Sequence, residues 1–176
     1  MRKLGGIAAM LMLLSLPVLC QDYPKAEVFG GYQYTRINPG GGFSGDNFNG
    51  WNGALTGNIN HWLGVTGDFS GAYKDIGGFS LKQHTFMFGP TVASHSSEKF
   101  TPFAHALFGG ARSSGSAFGF NASDSAFAMA LGGGVDVGSR NLAFRIGQFD
   151  YLMTRFGGER QNDFRYSAGI VFRFGK

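Results

Sequence analysis

From residue 26 onward, apolar and polar side chains exchange places with a period of two. That period puts alternate residues on opposite faces of an extended strand. In Ala26–Arg36 the even positions are Ala26, Val28, Gly30, Tyr32 and Tyr34, and the odd ones include Glu27, Gln33 and Thr35. Trp51–Asn60 sets Trp51, Gly53, Leu55, Gly57 and Ile59 against Asn52, Thr56, Asn58 and Asn60. Leu63–Tyr73 sets Val65, Phe69 and Tyr73 against Thr66, Asp68 and Ser70, and Gln83–Thr91 sets Phe86 and Phe88 against Gln83, Thr85 and Thr91.

The second half is noisier. Thr101–Arg112 reads as a strand with His105 marking its polar face, and Ala126–Val137 places Phe127, Met129, Leu131 and Val135 opposite Ala128, Ala130 and Asp136. Asn141–Tyr151 opens with Leu142, Phe144 and Ile146 on one face and Arg145 on the other, then slips near Gly147–Gln148, where a bulge is expected. Phe164–Phe174 has Phe164, Tyr166, Ala168, Ile170, Phe172 and Phe174 facing away from Arg165, Ser167, Gly169 and Arg173. The pattern therefore predicts eight strands, an even number. The first, fifth and seventh links (Asn38–Gly50, Ser113–Ser125 and Thr154–Asp163) are longer than the tight second and sixth (Asn60–Trp62 and Gly138–Arg140). Lys74–Ser80 and Ser94–Phe100, the third and fourth, do not separate by length. Alternating short turns and longer loops characterise barrels that cross a membrane.

The aromatic residues fall at strand ends. Tyr34, Trp51, Tyr73, Tyr151 and Tyr166 lie at one predicted boundary and Trp62, Phe100, Phe172 and Phe174 at the other. Amphipathic rings concentrate at the two membrane interfaces. The polar faces carry Glu27, Asn52, Asn58, Asp68, Lys82, Asp136, Arg145, Arg165 and Arg173. A soluble eight-stranded barrel of the lipocalin kind has the opposite arrangement, with an apolar interior. A water-facing exterior of Phe, Tyr and Trp would be an aggregation hazard. The expected fold is therefore an all-β, eight-stranded, antiparallel up-and-down transmembrane β-barrel, closed because hydrocarbon offers backbone groups no partner.

The N-terminus changes the picture of where this barrel resides. Arg2 and Lys3 precede an uncharged apolar run from Leu4 to Leu19. That run is short of the roughly 20 apolar residues a membrane helix needs, so it reads as a cleavable signal peptide. Cleavage after Cys20 leaves Val18 and Cys20 as the small residues before the cut, giving a signal peptide at 1–20 and one barrel domain at 21–176. In the competing reading Cys20 is the lipid-bearing first residue, which the bulk of Leu19 disfavours. There is one cysteine, so no intramolecular disulfide can form.

Composition agrees with strands in lipid. Thirty of the 176 residues are glycine, 19 are phenylalanine and only 15% are charged, against about 25% in ordinary domains. The formal charge of +4 includes Arg2 and Lys3, so the mature excess is slight and nothing favours nucleic acid.

The alternation, the girdles and the final strand together resemble the eight-stranded outer-membrane barrels of the OmpA/OmpX-like type, across Ala26–Phe174. Phe88–Gly89–Pro90 and Phe103–Ala104–His105 also look like strands of this family. In such barrels the last strand carries an assembly signal: a polar residue, glycine two positions on, then two alternating hydrophobics. Ser167, Gly169, Phe172 and Phe174 fill those places, although this chain continues with Gly175 and Lys176. The resemblance implies a cell outer-membrane location, contact with outer-membrane lipid and lipopolysaccharide, and engagement of the barrel-assembly machinery. It implies no single activity, since function does not travel with fold.

Candidate chemistry is sparse. Some barrels of this size resemble lipid A deacylases or acyltransferases, which need a serine, a histidine and an acid converging. Ser94–His95–Ser96–Ser97–Glu98 supplies these residue types on one predicted turn, where consecutive side chains point apart, and the His-x-Ser-Asn pattern of those enzymes is missing. His61, His84, His95 and His105 are scattered, with no zinc-ligand spacing. Gly40–Gly41–Gly42 lacks a following Gly-Lys-Ser/Thr, so it reads as external loop rather than phosphate cradle. We therefore expect no catalytic residue, no cofactor and no metal. Glu27, Asp68, His105, Arg145 and Asp150 are expected to form a charge cluster in the lumen, as a structural plug rather than a proton-handling site. The expected role is structural or surface-interacting, with external loops 38–50, 113–125 and 154–163 carrying any extracellular partner. A narrow pore for small solutes and, less favoured, a lipid A-modifying enzyme are the alternatives.

Overall fold

Because each strand has one apolar and one polar face, the chain must bury one and find a solvent for the other. The computed structural model describes residues 23–37, 46–76, 79–97, 99–117, 120–156 and 159–175. The expected signal peptide, Gly40–Gly42 and Glu98 lie outside these described residues. Eight strands follow one another: β1 (Ala26–Ile37), β2 (Asp46–Asn58), β3 (Leu63–Ile76), β4 (Phe79–Ala93), β5 (Phe100–Ala117), β6 (Phe120–Gly138), β7 (Leu142–Phe156) and β8 (Glu159–Phe174). Each pairs antiparallel with its sequence neighbour, and β1 closes onto β8 to make a barrel.

One ladder row shows how strongly the strands tilt. From Thr35 it passes through Arg165, Asp150, Gly132, His105, Thr91, Gly64 and Asn58. The Asn58 amide then donates to the carbonyl of Lys25 at 2.8 Å, so the row returns to the first chain segment ten residues below its start. This stagger sets tilt and interior width together.

The faces are as the alternation predicts. Phe86, Phe144 and Phe172 point outward at 52%, 54% and 49% exposure, while Asp68 and Arg165 are each 1% exposed inside. Trp62, Phe100 and Phe174 ring one end; Trp51, Tyr73 and Tyr151 stand toward the other. The expected bulge is present. The register shifts between Arg145 and Gln148 against β8, and between Val135 and Asp136 against β7. The extra residue lets both Arg145 and Gln148 face inward although three positions apart.

Three expectations change. The stretches 113–125 and 154–163, expected as loops, are mostly strand. β5 and β6 pair from Arg112–Ser125 to Ala117–Phe120, and β7 and β8 pair to Phe156–Glu159. Residues 46–50 likewise belong to β2. These segments rise past the apolar band, so they lose apolar alternation while the hydrogen-bond ladder continues. Second, Lys82 faces out, because the inward set of β4 is Gln83, Thr85 and Met87. Third, the interior is not uniformly polar. Met87, Leu107, Leu152 and the alanines 111, 128 and 130 form one buried apolar cluster, and Phe29, Ala54, Ala143 and Val171 another.

Candidate functional site

The barrel brings its charged residues into a column along the axis. At the centre, Arg165 on β8 donates to Asp150 on β7 at 2.7 Å through Nε and reaches across the lumen to Asp68 on β3, with Nη1 to Oδ1 at 2.7 Å. Asn52 on β2 donates to the same Asp68 carboxylate at 2.8 Å. The other oxygen of Asp150 lies 2.8 Å from His105 Nε2. This last contact crosses β6 at Gly132, where a Cβ would stand 2.1 Å from Asp150 Oδ1 and 2.3 Å from the Phe149 carbonyl oxygen. Glycine at this position is what allows the carboxylate and the imidazole to meet.

Toward the end of the barrel that holds both termini, termed the inner end, Gln148 donates to Asp150 at 2.7 Å and accepts from Arg145 Nη1 at 2.7 Å. Arg145 also forks onto Asp136, with bonds of 2.8 and 3.0 Å. Its guanidinium is held between two rings, 4.3 Å from the Phe29 centroid and 4.1 Å from that of Phe103. A planar cation satisfies the carboxylate in its plane and the aromatic faces above and below it. Arg173 continues the column, 3.9 Å from Asp136 and 3.2 Å from Glu27.

Glu27 ends the column at the inner mouth. It accepts from Asn58 at 2.8 Å and lies 3.1 Å from His95 Nε2, while His95 Nδ1 is 2.9 Å from the carbonyl oxygen of His61. Burial opposes charging of this imidazole, but the Glu27 contact and the His61 carbonyl outweigh it, so the His95 pKa lies above the ordinary histidine value. Both ring nitrogens are thereby engaged, and neither meets a serine hydroxyl. Ser94 instead bonds Ser96 at 3.3 Å. The turn, whose consecutive side chains point apart as expected, thus folds its histidine back into the barrel end.

Of the five expected cluster residues, Asp68, His105 and Asp150 meet around Arg165, and Arg145 joins them through Gln148. Glu27 sits at the far end, linked through Arg173 and Asp136. Arg165, Arg173 and Asp136 were legible as lumen-facing from alternation, but their central place in the column was not. His95 was missed, since its turn position carries no periodic signal. Ser167 and Gly169 face inward on β8, opposite Gln33 and Gly31, and Phe172 and Phe174 face outward.

Between these charges the interior leaves a cavity of about 20 Å³ lined by Thr66, Asp68, His105, Asp136 and Arg145 among others, room for one or two waters, and a wider one of about 330 Å³ opens at the opposite mouth among Asp46, Phe48, Gln83, Asp124 and Gln161. Among the described residues no three His, Cys, Asp or Glu side chains gather where they could hold a metal ion.

A closed eight-stranded barrel with greasy outer strands and an ion-paired axis defines the outer-membrane β-barrel class. Solved structures share this fold. Neisserial surface protein A aligns with a TM-score of 0.73 at 12% identity, covering 85% of this chain and 97% of that one. Ail, the attachment invasion locus protein of Yersinia pestis, aligns at 0.60 with 20% identity, covering 85% and 99%. The N-terminal barrel domain of Pseudomonas aeruginosa OprF aligns at 0.56 with 8% identity, covering 86% and 98%. No protein-family model and no curated protein sequence matches the chain.

Proposed function

We propose that this chain is exported by its N-terminal signal peptide and works in the bacterial outer membrane as a structural or surface-interaction barrel, without catalysis. One observation carries the reading. The axis is occupied from Asp68 to His95 by paired charges, and the space left between them is about 20 Å³. A solute would have to break several buried ion pairs to pass, so useful contact is made on the outer wall and the outer rim. The rim is built of the β1–β2, β3–β4, β5–β6 and β7–β8 hairpins, and the first, third and fourth of these take over the partner-binding role expected of loops 38–50, 113–125 and 154–163. The assembly machinery would engage β8 through Ser167, Gly169, Phe172 and Phe174, and the wall would contact lipopolysaccharide. Of the proteins sharing the fold, Ail of Yersinia pestis has been solved in complex with the heparin analogue sucrose octasulfate.

Planar-bilayer recording tests this directly. The purified barrel should give no steady conductance, and sizeable steady currents would replace the proposal with the narrow-pore reading. Overexpression should leave the chemical pattern of lipid A unchanged; a new acylation state would make the protein an enzyme.

A further inference from the structure

At the outer end of the barrel the charges sort by face. Arg36, Lys82, Arg112 and Arg155 stand at outward strand positions, whereas Asp46 and Asp124 stand at inward ones, in step with buried Phe48 and Ala128. Around these two carboxylates opens the cavity of about 330 Å³, walled on one side by Phe48 and Leu81 and elsewhere by Gln83, Ser113 and Gln161. Lys82 lies in this wall between Leu81 and Gln83, but its side chain leaves on the other face of β4.

The cavity is blind. Along β4, β5 and β6 the inward positions below Gln83, Ser113 and Asp124 lead into the apolar cluster that contains Met87, Leu107 and Ala128. One inward position beyond Leu107 and Leu152 stand His105 and Asp150 of the ion-paired column. A molecule entering from outside meets that apolar layer and stops, so this end has the shape of a receptor pocket rather than a pore mouth.

Its charges are unequal. Asp46 is neutralised by Lys74, whose ammonium also stands 5.8 Å from the Phe48 ring centroid. Asp124 is exposed, and the Ser125 amide donates to its carboxylate at 2.8 Å. The pocket is therefore left with one carboxylate in excess, beside a wall of hydrocarbon and two side-chain amides.

We propose that this outer pocket binds a small organic monocation, a protonated amine on a compact apolar body. The ammonium lies on Asp124, with the Gln83 and Gln161 amide oxygens available to its remaining protons, and the body lies against Phe48 and Leu81. The proposal rests on the outer-membrane reading above and gives its surface-interaction role a ligand class. An anion would meet Asp124 as a like charge. An uncharged hydrocarbon would strip water from a carboxylate and two amides without replacing their hydrogen bonds. The volume is near the lower limit of about 300 Å³ for ligand sites, which restricts the body to about one ring or a short chain.

Three probes of similar size test the assignment: 2-phenylethylamine, 2-phenylethanol and 3-phenylpropionate, titrated into the isotope-labelled barrel in nanodiscs and followed by amide chemical shifts. The amine should give saturable shifts at Gln83, Ser113 and Gln161, and the alcohol and the carboxylate should bind about tenfold or more weakly. D124N should bring the amine down to the level of the alcohol. S113F, which fills the pocket without touching a charge, should abolish the shifts. Equal affinity for the three probes overturns the site, as does unchanged amine binding in either variant. Shifts confined to outward residues such as Phe69 and Phe86 also overturn it, since they report partition into lipid. A parent protein that shifts on heating in gels yet gives no saturable response at the mouth sinks the site alone. A parent protein with no heat shift sinks the barrel reading beneath it.

Discussion

Arg165 is a fully buried guanidinium holding two carboxylates that would otherwise repel each other. Removing one partner of a buried ion pair costs about 3–5 kcal/mol, because the remaining charges stay buried without compensation. Arg165→Met should therefore destabilise the barrel by about that much, read from urea unfolding in lipid vesicles. Lys74→Met serves as the contrast. Its partner Asp46 is 46% exposed at the outer mouth, and pairs of that kind are worth about 0–1 kcal/mol. Similar small losses in both variants would mean that the column does not hold the barrel together. Adding Asp68→Asn and Asp150→Asn to Arg165→Met should recover much of the loss, since no unpaired charge then remains. Most residues of this column were legible in the sequence as lumen-facing because alternation assigns them a face. Their pairing was not: Arg165 and Asp68 are separated by 97 positions, and their meeting depends on the stagger around the closed sheet. Gly132 was equally illegible as the residue that lets Asp150 reach His105, because one glycine among thirty carries no positional signal.

At the scale of elements, alternation located all eight strands within the apolar band and failed at their outer ends. The reason is physical. Period-two patterning arises only where one face meets hydrocarbon and the other a packed lumen; above the band both faces meet polar surroundings. Ser113, Ser114, Gly115 and Ser116 therefore read as loop although they pair with both β4 and β6. The β4–β5 interior weakens the contrast without reversing it. Met87 and Leu107 are inward apolar residues, so Phe86–Met87–Phe88 shows no contrast between its faces. Amide hydrogen exchange separates strand from loop. Amides of residues 113–116 should exchange orders of magnitude more slowly than those of an open loop, because each is hydrogen-bonded within the ladder. Exchange at the rate of an unstructured peptide would restore the long-loop picture and shorten both strands.

For the whole molecule, closure leaves no sheet edge but two unlike ends. The inner end is latched: Tyr23 donates to the Ile59 carbonyl at 3.1 Å, and His95 bridges Glu27 and the His61 carbonyl. Along the column, Arg145, Arg165 and Arg173 face Glu27, Asp68, Asp136 and Asp150, and a protonated His95 adds a further cation beside Glu27. Its raised pKa means that the folded barrel binds this proton more tightly than the unfolded chain does. The resulting stabilisation is fully present below the unfolded histidine value of about 6.5 and is lost as pH rises through the higher folded value. His95→Gln retains hydrogen-bonding reach without a titratable charge. The stability difference between parent and variant, measured by urea unfolding from about pH 6 to 9, should be largest at the acid end and should shrink toward the alkaline end. A difference that stays constant across that range would show that the latch acts through packing alone, and a difference that grows with pH would reverse the assigned sign.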